Sequence, residues 1–328
     1  MRIAAVDGLA DEGVRLLEGQ GHEVVIHLPE GMDLGDALTG FDAVIVRSAT
    51  QLDEQTIRRA GQGQLRAIGR AGVGVDNIDV TAATDMGIPV VNAPAASTNS
   101  VVELALGHLL SSARRIPEAD RSLRGGAWEK ARFKGFELRG KRLGLLGFGR
   151  IARGVAQGAL ALGMEVGFHD PYLPDTAQIP SDVDRFDTFD SMVRVSTHLS
   201  VHCNLTQETR HLIDEDVMRS MAEVGPDGVH CGRHLINCAR GGIVDEKAAL
   251  EALQQGILST CSLDVFEVEP VDAAHPLLRH PRFQGTPHIG ASTLEAQRRV
   301  GMDIASAIME ALDGTLPTST INRADLSV

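Results

Sequence analysis

The stretch that decides the fold is KRLGLLGFGRIARGVAQGALALGMEVGFHDP, Lys141 to Pro171. It holds a short apolar run, a glycine-rich turn, a helical pattern and a second apolar run. Strand, helix and strand in this order predict a βαβ unit of a parallel sheet. The rhythm continues outward, with strand-like runs at RIAAV, EVVIH, DAVIV, LRAIG and IPVVN before this stretch and at THLSVH, HLINC, TCSLDVF and FQGTPH after it. The sequence therefore predicts an α/β fold with two doubly wound parallel sheets, of five and six strands.

Composition narrows the class of protein. The chain has 328 residues, which suggests two domains, and its hydrophobic content of 43% is enough for normal cores. A net charge of −13 without a basic tail argues against nucleic acid and against an anionic membrane surface as partners. The four cysteines form no C-x-x-C pair, and neither a secretion signal nor a membrane-spanning run stands out. We expect a cytoplasmic globular protein.

The glycine-rich turn GFGRIA, Gly147 to Ala152, follows a strand and opens a helix. Gly147 permits a tight turn, and Gly149 lets the backbone approach a pyrophosphate at the helix N-terminus. Asp170 ends the next strand, where an acid that binds a ribose hydroxyl belongs. Each signal is weak alone, because G-x-G-x-x-A can be a plain turn and Asp170 can be a turn former before Pro171. Together they predict a dinucleotide site.

Polar residues also follow the other strands of the second sheet. They are His202 with Cys203, Arg240, Asp264 with Glu269, and His288. Ligands of doubly wound sheets bind outside the carboxyl ends of the strands, so these side chains should meet at the cofactor edge. Each has an ordinary alternative: His288 as a core histidine, Glu269 as part of a turn, Arg240 as a surface residue at a helix start. Their placement on one edge favours a catalytic site.

Arg240, Glu269 and His288 fit one reaction, hydride transfer between a nicotinamide and a 2-hydroxy acid. A guanidinium can hold the substrate carboxylate through two hydrogen bonds. Histidine exchanges a proton near the working pH, and a neighbouring carboxylate orients it and favours its protonated form. Gly241 and Gly242 would let the turn pack closely while Arg240 points at the substrate.

Five segments resemble the D-isomer-specific 2-hydroxyacid dehydrogenase family: RAGVGVDNID, GLLGFGRIARGVA, INCARGGIVDE, LDVFEVEP and TPHIGAST. The resemblance covers nearly the whole chain and is greatest to the phosphoglycerate-oxidising members. It implies that Arg240, Glu269 and His288 are catalytic and that NAD is the cofactor. The implied NAD contacts are Gly147, Gly149, Arg150, Ile151, Asp170, Cys203, Cys238, Asp264 and Gly290.

The resemblance also implies a domain organisation. Residues 1–98 and 290–328 should form a flavodoxin-like substrate-binding domain, with residues 99–289 inserted as a Rossmann NAD-binding domain. A homodimer or a tetramer is implied as well. The chain ends soon after its last helical pattern, so we do not expect the C-terminal regulatory domain of longer members.

Basic residues at the edge of the first predicted sheet indicate that the substrate carries a second anion. Arg47 and Arg70 each stand at the carboxyl end of an apolar run and should face the substrate, and Arg132 and Lys134 could reach in from a partner subunit. In an acidic chain this basic cluster favours a phosphate or sulfonate, unless the arginines only bridge domains. We expect 3-phosphoglycerate first, with sulfolactate as the rival and erythronate 4-phosphate as a weaker one. The candidate substrate-binding residues are Arg47, Ser48, Arg70, Gly72, Val73 and Gly74.

The segment AEVGPDGVHCGRH, residues 222–234, is longer than the family pattern. It carries a C-x-x-H, but a zinc site needs a second pair of ligands. We therefore expect a surface loop and no metal.

A second class of function stays open, an NAD-sensing binding protein of the corepressor type, which resembles this fold and keeps the same three residues. The acidic charge and the lack of an interaction tail disfavour it. An inactive member of the family is a third reading. A turnover assay separates these readings from an enzyme.

Overall fold

The computed structural model describes residues 1–29 and 31–326, which divide into two compact units. The first unit comprises Met1–Ser97 and Ala291–Val328, and the second comprises Thr98–Gly290. Each unit is built on its own parallel sheet.

The first unit contains a five-stranded parallel sheet in the order β2-β1-β3-β4-β5, which is the flavodoxin-like order. Its elements are β1 (Arg2–Ala5), α1 (Asp11–Gly19), β2 (Glu23–Val25), α2 (Leu34–Leu38), β3 (Ala43–Val46), α3 (Glu54–Gly61), β4 (Ala67–Arg70), α4 (Val80–Asp85) and β5 (Val90–Asn92). The strands are short and apolar because both faces are covered, as is usual for parallel sheets.

One element of the first unit comes from the far end of the chain. The long C-terminal helix crosses α1 at a point where two glycines meet: a β-carbon on Gly13 would lie 2.5 Å from the carbonyl oxygen of Gly301. The same helix lays Ile304 and Ile308 over Gly69 of β4, and all three pack in the core. Its bounds are Leu294–Leu312, and it is numbered α11 in chain order.

The second unit contains a seven-stranded parallel sheet in the order β12-β11-β10-β9-β6-β7-β8. Its first elements are α5 (Thr98–Arg114), α6 (Ile116–Arg124), a 3-10 helix (Lys130–Phe133), β6 (Arg142–Leu146), α7 (Arg150–Ala161), β7 (Glu165–His169), β8 (Val183–Arg185), α8 (Phe189–Val193) and β9 (His198–Val201). The remainder are α9 (Glu215–Ser220), β10 (His234–Asn237), α10 (Glu246–Gln254), β11 (Thr260–Leu263), a 3-10 helix (Pro276–Arg279) and β12 (Phe283–Gly285).

Six strands were expected for this sheet from the apolar runs, and β8 was not among them. That strand has three residues, of which only Val183 is buried. A single buried side chain produces no apolar run, so sequence alone has no signal for it. It pairs with β7 at the edge of the sheet.

The longer segment at residues 222–234 is not wholly a surface loop. Val224 and His230 pair as a short antiparallel bridge, but Cys231 is buried and His234 begins the central strand β10. His234 stacks on His198 with ring centroids 4.5 Å apart. Burial lowers the pKa of His234 to about 4, so the ring is neutral at physiological pH. This end of the segment belongs to the core.

Among the residues that the structure describes, no helix is both long and apolar enough to cross a membrane. Among the same residues, no group of three or more histidine, cysteine or acidic side chains is placed to hold a metal ion.

Candidate active site

The turn between β6 and α7 has the shape that a dinucleotide phosphate requires. Gly147 has a φ of +86°, and a β-carbon there would lie 3.0 Å from the carbonyl oxygen of His202. Helix α7 begins at Arg150, with Gly149 as its N-cap, and its first turn, which holds Arg150 and Ile151, has no side-chain cap hydrogen bond and no acidic residue. The backbone N–H groups of this first turn and the positive end of the helix dipole suit an anion. These features fit the pyrophosphate of NAD.

Asp170 lies beside this turn. One of its carboxylate oxygens accepts a hydrogen bond from the backbone N–H of Phe148 at 2.9 Å, and the other accepts one from that of Tyr172 at 3.0 Å. The carboxylate is therefore oriented by the glycine-rich turn itself. An oriented anion at the end of β7 suits ribose hydroxyls and repels an additional phosphate.

The turn after β10 presents Arg240. The side chain of Asn237 fixes this turn from both sides, because its amide oxygen accepts from Ala239 N at 2.9 Å and its amide nitrogen donates to the Arg240 carbonyl at 2.8 Å. Gly241 then passes so close to Phe266 that a β-carbon would lie 1.8 Å from the Phe266 carbonyl oxygen. The first glycine after the arginine is thus required by a close backbone approach.

His288 and Glu269 form a direct pair. The histidine Nδ1 lies 2.7 Å from Glu269 Oε2, and the other oxygen, Oε1, accepts from Phe266 N at 2.9 Å. The hydrogen bond that His288 donates to Glu269 is the largest influence on the histidine and raises its pKa above the ordinary value. Burial works to raise the pKa of Glu269, but the His288 and Phe266 hydrogen bonds and the charge of Arg240 outweigh it and lower that pKa. All three predicted catalytic residues therefore interact electrostatically.

Asp264 anchors the loop that carries His288. The buried carboxylate accepts from Thr286 Oγ1 at 2.6 Å, from Ile289 N at 2.8 Å and from Gly290 N at 2.9 Å. These bonds hold His288 at a φ of +50°, a left-handed conformation that costs a non-glycine residue roughly 1–2 kcal/mol. Asp264 is also a predicted NAD contact, and its three hydrogen bonds in the structure go to Thr286, Ile289 and Gly290 of this loop.

The hydrogen bonds that anchor this loop extend to His108, a residue that was not predicted from the sequence. His108 of α5 is buried, and its Nε2 lies 3.2 Å from Thr286 Oγ1. Because the Thr286 hydroxyl donates to Asp264, it accepts from His108 Nε2–H. No local pattern indicates this contact, since His108 lies far from the loop along the chain.

Two cysteines flank the predicted cofactor edge. Burial raises the pKa of Cys203 to about 11, and it also raises the pKa of Cys238. Both thiols are therefore protonated at neutral pH and act as small apolar groups rather than nucleophiles.

The predicted substrate residues lie at the carboxyl edge of the first unit's sheet. Arg70 is the last residue of β4, and its Nη1 donates to the Ala71 carbonyl at 3.0 Å. Gly72 has a φ of +156°, and a β-carbon there would lie 1.6 Å from that same Nη1. A side chain at residue 72 would therefore displace the guanidinium from its present position. The carbonyl of Val73 accepts from the side chain of Asn92, which holds the start of the following loop, including Gly74.

Arg47 and Ser48 follow β3 on the same edge and are exposed. The backbone N–H of Arg47 donates to Asp7 at 2.7 Å, and Asn77 donates to the Arg47 carbonyl at 2.8 Å. The backbone is thus fixed while the side chain extends outward.

Arg132 and Lys134 belong to the second unit, near its first 3-10 helix. Arg132 forms ion pairs with Glu129 at 2.8 Å and with Glu118 at 3.4 Å. Its charge is therefore balanced locally, which weakens its case as a substrate ligand.

Fold and site together define an α/β protein of the dinucleotide-binding class. A family model described as "D-isomer specific 2-hydroxyacid dehydrogenase, NAD binding domain" matches residues 106–290. The chain therefore belongs to the D-isomer-specific 2-hydroxyacid dehydrogenase family.

Individual relatives agree with this placement. A D-3-phosphoglycerate dehydrogenase from Methanocaldococcus jannaschii is 40% identical over 99% of this chain and 60% of its own. A hydroxypyruvate reductase from Thermotoga maritima is 42% identical over 95% of this chain and 98% of its own. The crystal structure of an NAD-dependent formate dehydrogenase from Staphylococcus aureus in complex with NAD has a TM-score of 0.82 at 30% identity and covers 96% of each chain. The chain spans only 50–60% of the length of three phosphoglycerate dehydrogenases that it matches.

Proposed function

We propose that the protein is an NAD-dependent dehydrogenase of a small D-2-hydroxy acid that carries a second anion, with 3-phosphoglycerate as the first candidate. In this proposal the second unit binds NAD and the first unit binds the substrate. The observation that carries the proposal is the 2.7 Å pair of His288 and Glu269 within the electrostatic reach of Arg240.

When bound, NAD supplies the hydride acceptor for oxidation, and its reduced form supplies the donor for reduction. Arg240 holds the substrate carboxylate and, by its charge, polarises the C2 oxygen. In oxidation His288 takes the hydroxyl proton on Nε2, since Nδ1 faces Glu269. In reduction the same nitrogen returns the proton to the ketone oxygen. Glu269 stabilises the imidazolium that oxidation creates.

Support for a second anion comes from Arg47 and Arg70. Both stand at the carboxyl end of parallel strands, and local structure fixes the backbone of each. Several relatives are phosphoglycerate dehydrogenases, among them that of Methanocaldococcus jannaschii. Sulfolactate is the main rival because a sulfonate uses the same cations, and erythronate 4-phosphate is weaker.

A substrate without the second anion is also a candidate. The hydroxypyruvate reductase of Thermotoga maritima matches this chain over 98% of its own length, which the longer phosphoglycerate dehydrogenases do not. Reduction of hydroxypyruvate gives glycerate, which has one carboxylate and no phosphate. The two arginines then have no second anion to bind.

The test compares kcat/KM for 3-phosphoglycerate, sulfolactate, erythronate 4-phosphate, glycerate and lactate, with the matching keto acids in the reverse direction. Arg70→Ala and Arg47→Ala should each lower kcat/KM for the phosphorylated substrate roughly tenfold or more. Neither change should alter kcat/KM for glycerate much. Arg66→Ala is the matched control, because Arg66 stands before β4 and pairs with Asp42 at 3.2 Å.

Equal use of glycerate and 3-phosphoglycerate, unaffected by either arginine change, contradicts the second-anion proposal. Absence of turnover with every acid, combined with NAD binding, favours the NAD-sensing class instead.

A further inference from the structure

Two glutamates outside the predicted trio are joined by reciprocal hydrogen bonds. The backbone N–H of Glu267 donates to Glu246 Oε1 at 2.6 Å, and the backbone N–H of Glu246 donates to Glu267 Oε1 at 3.3 Å. Glu246 is the first residue of α10, and Glu267 lies in the loop after β11. This clamp ties the start of the helix to that loop.

Each carboxylate of the clamp has a histidine beside it. His275 Nε2 lies 3.1 Å from Glu246 Oε2, and His211 Nε2 lies 3.1 Å from Glu267 Oε1. Glu246 is buried, with only 8% of its surface exposed. A buried carboxylate needs such partners, because an uncompensated charge in the interior is costly.

The clamp lies directly behind the predicted catalytic residues. Glu269 is two residues beyond Glu267, and its Oε1 accepts from Phe266, the residue that precedes the clamp. On the other side, Gly241 of the Arg240 turn packs against the carbonyl of the same Phe266. The backbone at Phe266 and Glu267 therefore contacts the Arg240 turn, the Glu269 side chain and the start of α10.

We propose that Glu246 is a positioning residue, which fixes the Phe266–Glu269 segment against the Arg240 turn and adds a negative charge that favours the protonated form of His288. This inference rests on the proposed function for its kinetic consequences. The catalytic residues themselves remain Arg240, Glu269 and His288, since Glu246 acts only through them.

The charged and titratable groups around Glu246 set the direction of the effect. They are Glu267 and Glu269 on the loop, His275 before the second 3-10 helix, Cys261 on β11, Arg240 beside Glu269, and His211 with Asp245 around Glu267. Burial is the largest influence on Glu246 and raises its pKa, and the two glutamates raise it further. A negative charge near Glu269 also favours a protonated His288, so removing it should lower the pKa of His288.

The experiment uses the full chain labelled with ¹³C at histidine Cε1, with the His288 signal assigned by its loss in His288→Asn. Glu246→Gln keeps an acceptor for Glu267 N but removes the charge, so the pKa of His288 should fall. Glu251→Gln is the control, because this α10 residue only pairs weakly with Lys247 at 4.0 Å. In keto-acid reduction, the alkaline limb of the Glu246→Gln variant should move to lower pH, because the protonated donor is lost earlier.

Glu246→Ala removes the acceptor as well, so kcat should fall on the order of tenfold below that of Glu246→Gln, with a smaller change in the KM for NAD. An unshifted His288 titration in Glu246→Gln overturns the proposal, and so do equal kcat values for the two variants. If no 2-hydroxy acid is turned over, the proposed function fails, yet the titration still decides the role of Glu246.

Discussion

Gly241 and Phe266 are in backbone contact: a β-carbon on Gly241 would lie 1.8 Å from the Phe266 carbonyl oxygen and 2.2 Å from its carbon. This contact joins the turn that carries Arg240 to the segment that carries Glu269. Because backbone atoms cannot rotate away as a side chain can, any larger residue at Gly241 must move one segment or the other. The distance between the Arg240 guanidinium and the Glu269 carboxylate therefore depends on the absence of a β-carbon at Gly241.

Gly241→Ala should therefore lower kcat/KM about 100-fold, the typical effect of displacing a reacting group by about 1 Å. Gly19→Ala provides the control, since a β-carbon at Gly19 meets nothing within 4 Å. Steady-state kinetics on both variants check this, with circular dichroism to confirm folding. Near-normal activity in a folded Gly241→Ala variant would show that the two segments adjust independently.

Glu269→Gln should shift the alkaline limb of keto-acid reduction to lower pH. The hydrogen bond that His288 donates to Glu269 is the main cause of the raised pKa of His288, so its loss lowers that pKa. Reduction requires protonated His288, which is lost as the pH rises through this pKa. The measurement is a kcat/KM profile for both proteins, and a limb that stays in place would show that the pair is not coupled.

His288→Ala should lower kcat about 10²- to 10⁴-fold, the range expected for a general acid–base group. His230→Ala is the matched control, because the His230 side chain is 69% exposed and lies on the 222–234 segment. Comparable losses in the two variants would remove His288 from the mechanism.

The cofactor preference should favour NAD over NADP. Asp170 is held in place by the backbone of Phe148 and Tyr172, so it cannot easily turn away from a 2′-phosphate. The repulsion should cost on the order of 1–3 kcal/mol. Asp170→Asn removes the charge and keeps one of the two acceptor oxygens, so it should narrow the preference for NAD over NADP roughly tenfold, as measured by kcat/KM with each cofactor. An unchanged ratio of the kcat/KM values for NAD and NADP would show that the ribose 2′-position of the cofactor binds away from Asp170.

Local signals explain what the sequence could predict. Apolar runs between helical patterns predicted both parallel sheets, and the turn GFGRIA predicted a helix start, which the structure places at Arg150. The strand ends placed Glu269 and His288 on one edge, where the structure pairs them. These predictions needed only the spacing of apolar residues along the chain and the rule that ligands bind at the carboxyl edge of a parallel sheet.

Contacts between distant loops were beyond such reasoning. The Glu246–Glu267 clamp and the His108–Thr286 contact join residues 21 and 178 positions apart. Neither has a local signature, because a glutamate at a helix start and a histidine within an apolar helix both have ordinary explanations. The surface loop expected at residues 222–234 conflicted with the run HLINC, which predicts a strand from His234; the segment resembles a loop in composition but ends inside the sheet.

The protein should form a homodimer through α6 and the segment that follows it. Within the chain, Ile116, Leu123 and Trp128 are 52%, 57% and 85% exposed, and none of the residues of α6 is buried. Such exposed apolar side chains are typical of a surface that a partner covers. Sedimentation at micromolar concentration should show a dimer that Leu123→Asp weakens, whereas Met32→Asp, at an exposed site of the first unit, leaves it intact. A stable wild-type monomer would contradict the prediction.

Thr286 should be necessary for catalysis without touching the substrate, because its hydroxyl links His108 to the Asp264 carboxylate that anchors the His288 loop. Thr286→Val removes this link and leaves the buried His108 N–H without its acceptor, so the free energy of unfolding should fall by about 1–3 kcal/mol and kcat by about tenfold. Thr286→Ser should restore both the stability and kcat.

The double variant Thr286→Val with His108→Leu separates the two effects. Its stability should partly recover, since both polar partners are gone. Its kcat should not recover, since Asp264 still lacks the hydroxyl that fixes His288. Denaturant unfolding and steady-state kinetics on the four proteins separate the two effects. Full recovery of kcat in the double variant would show that the loop holds His288 without Thr286.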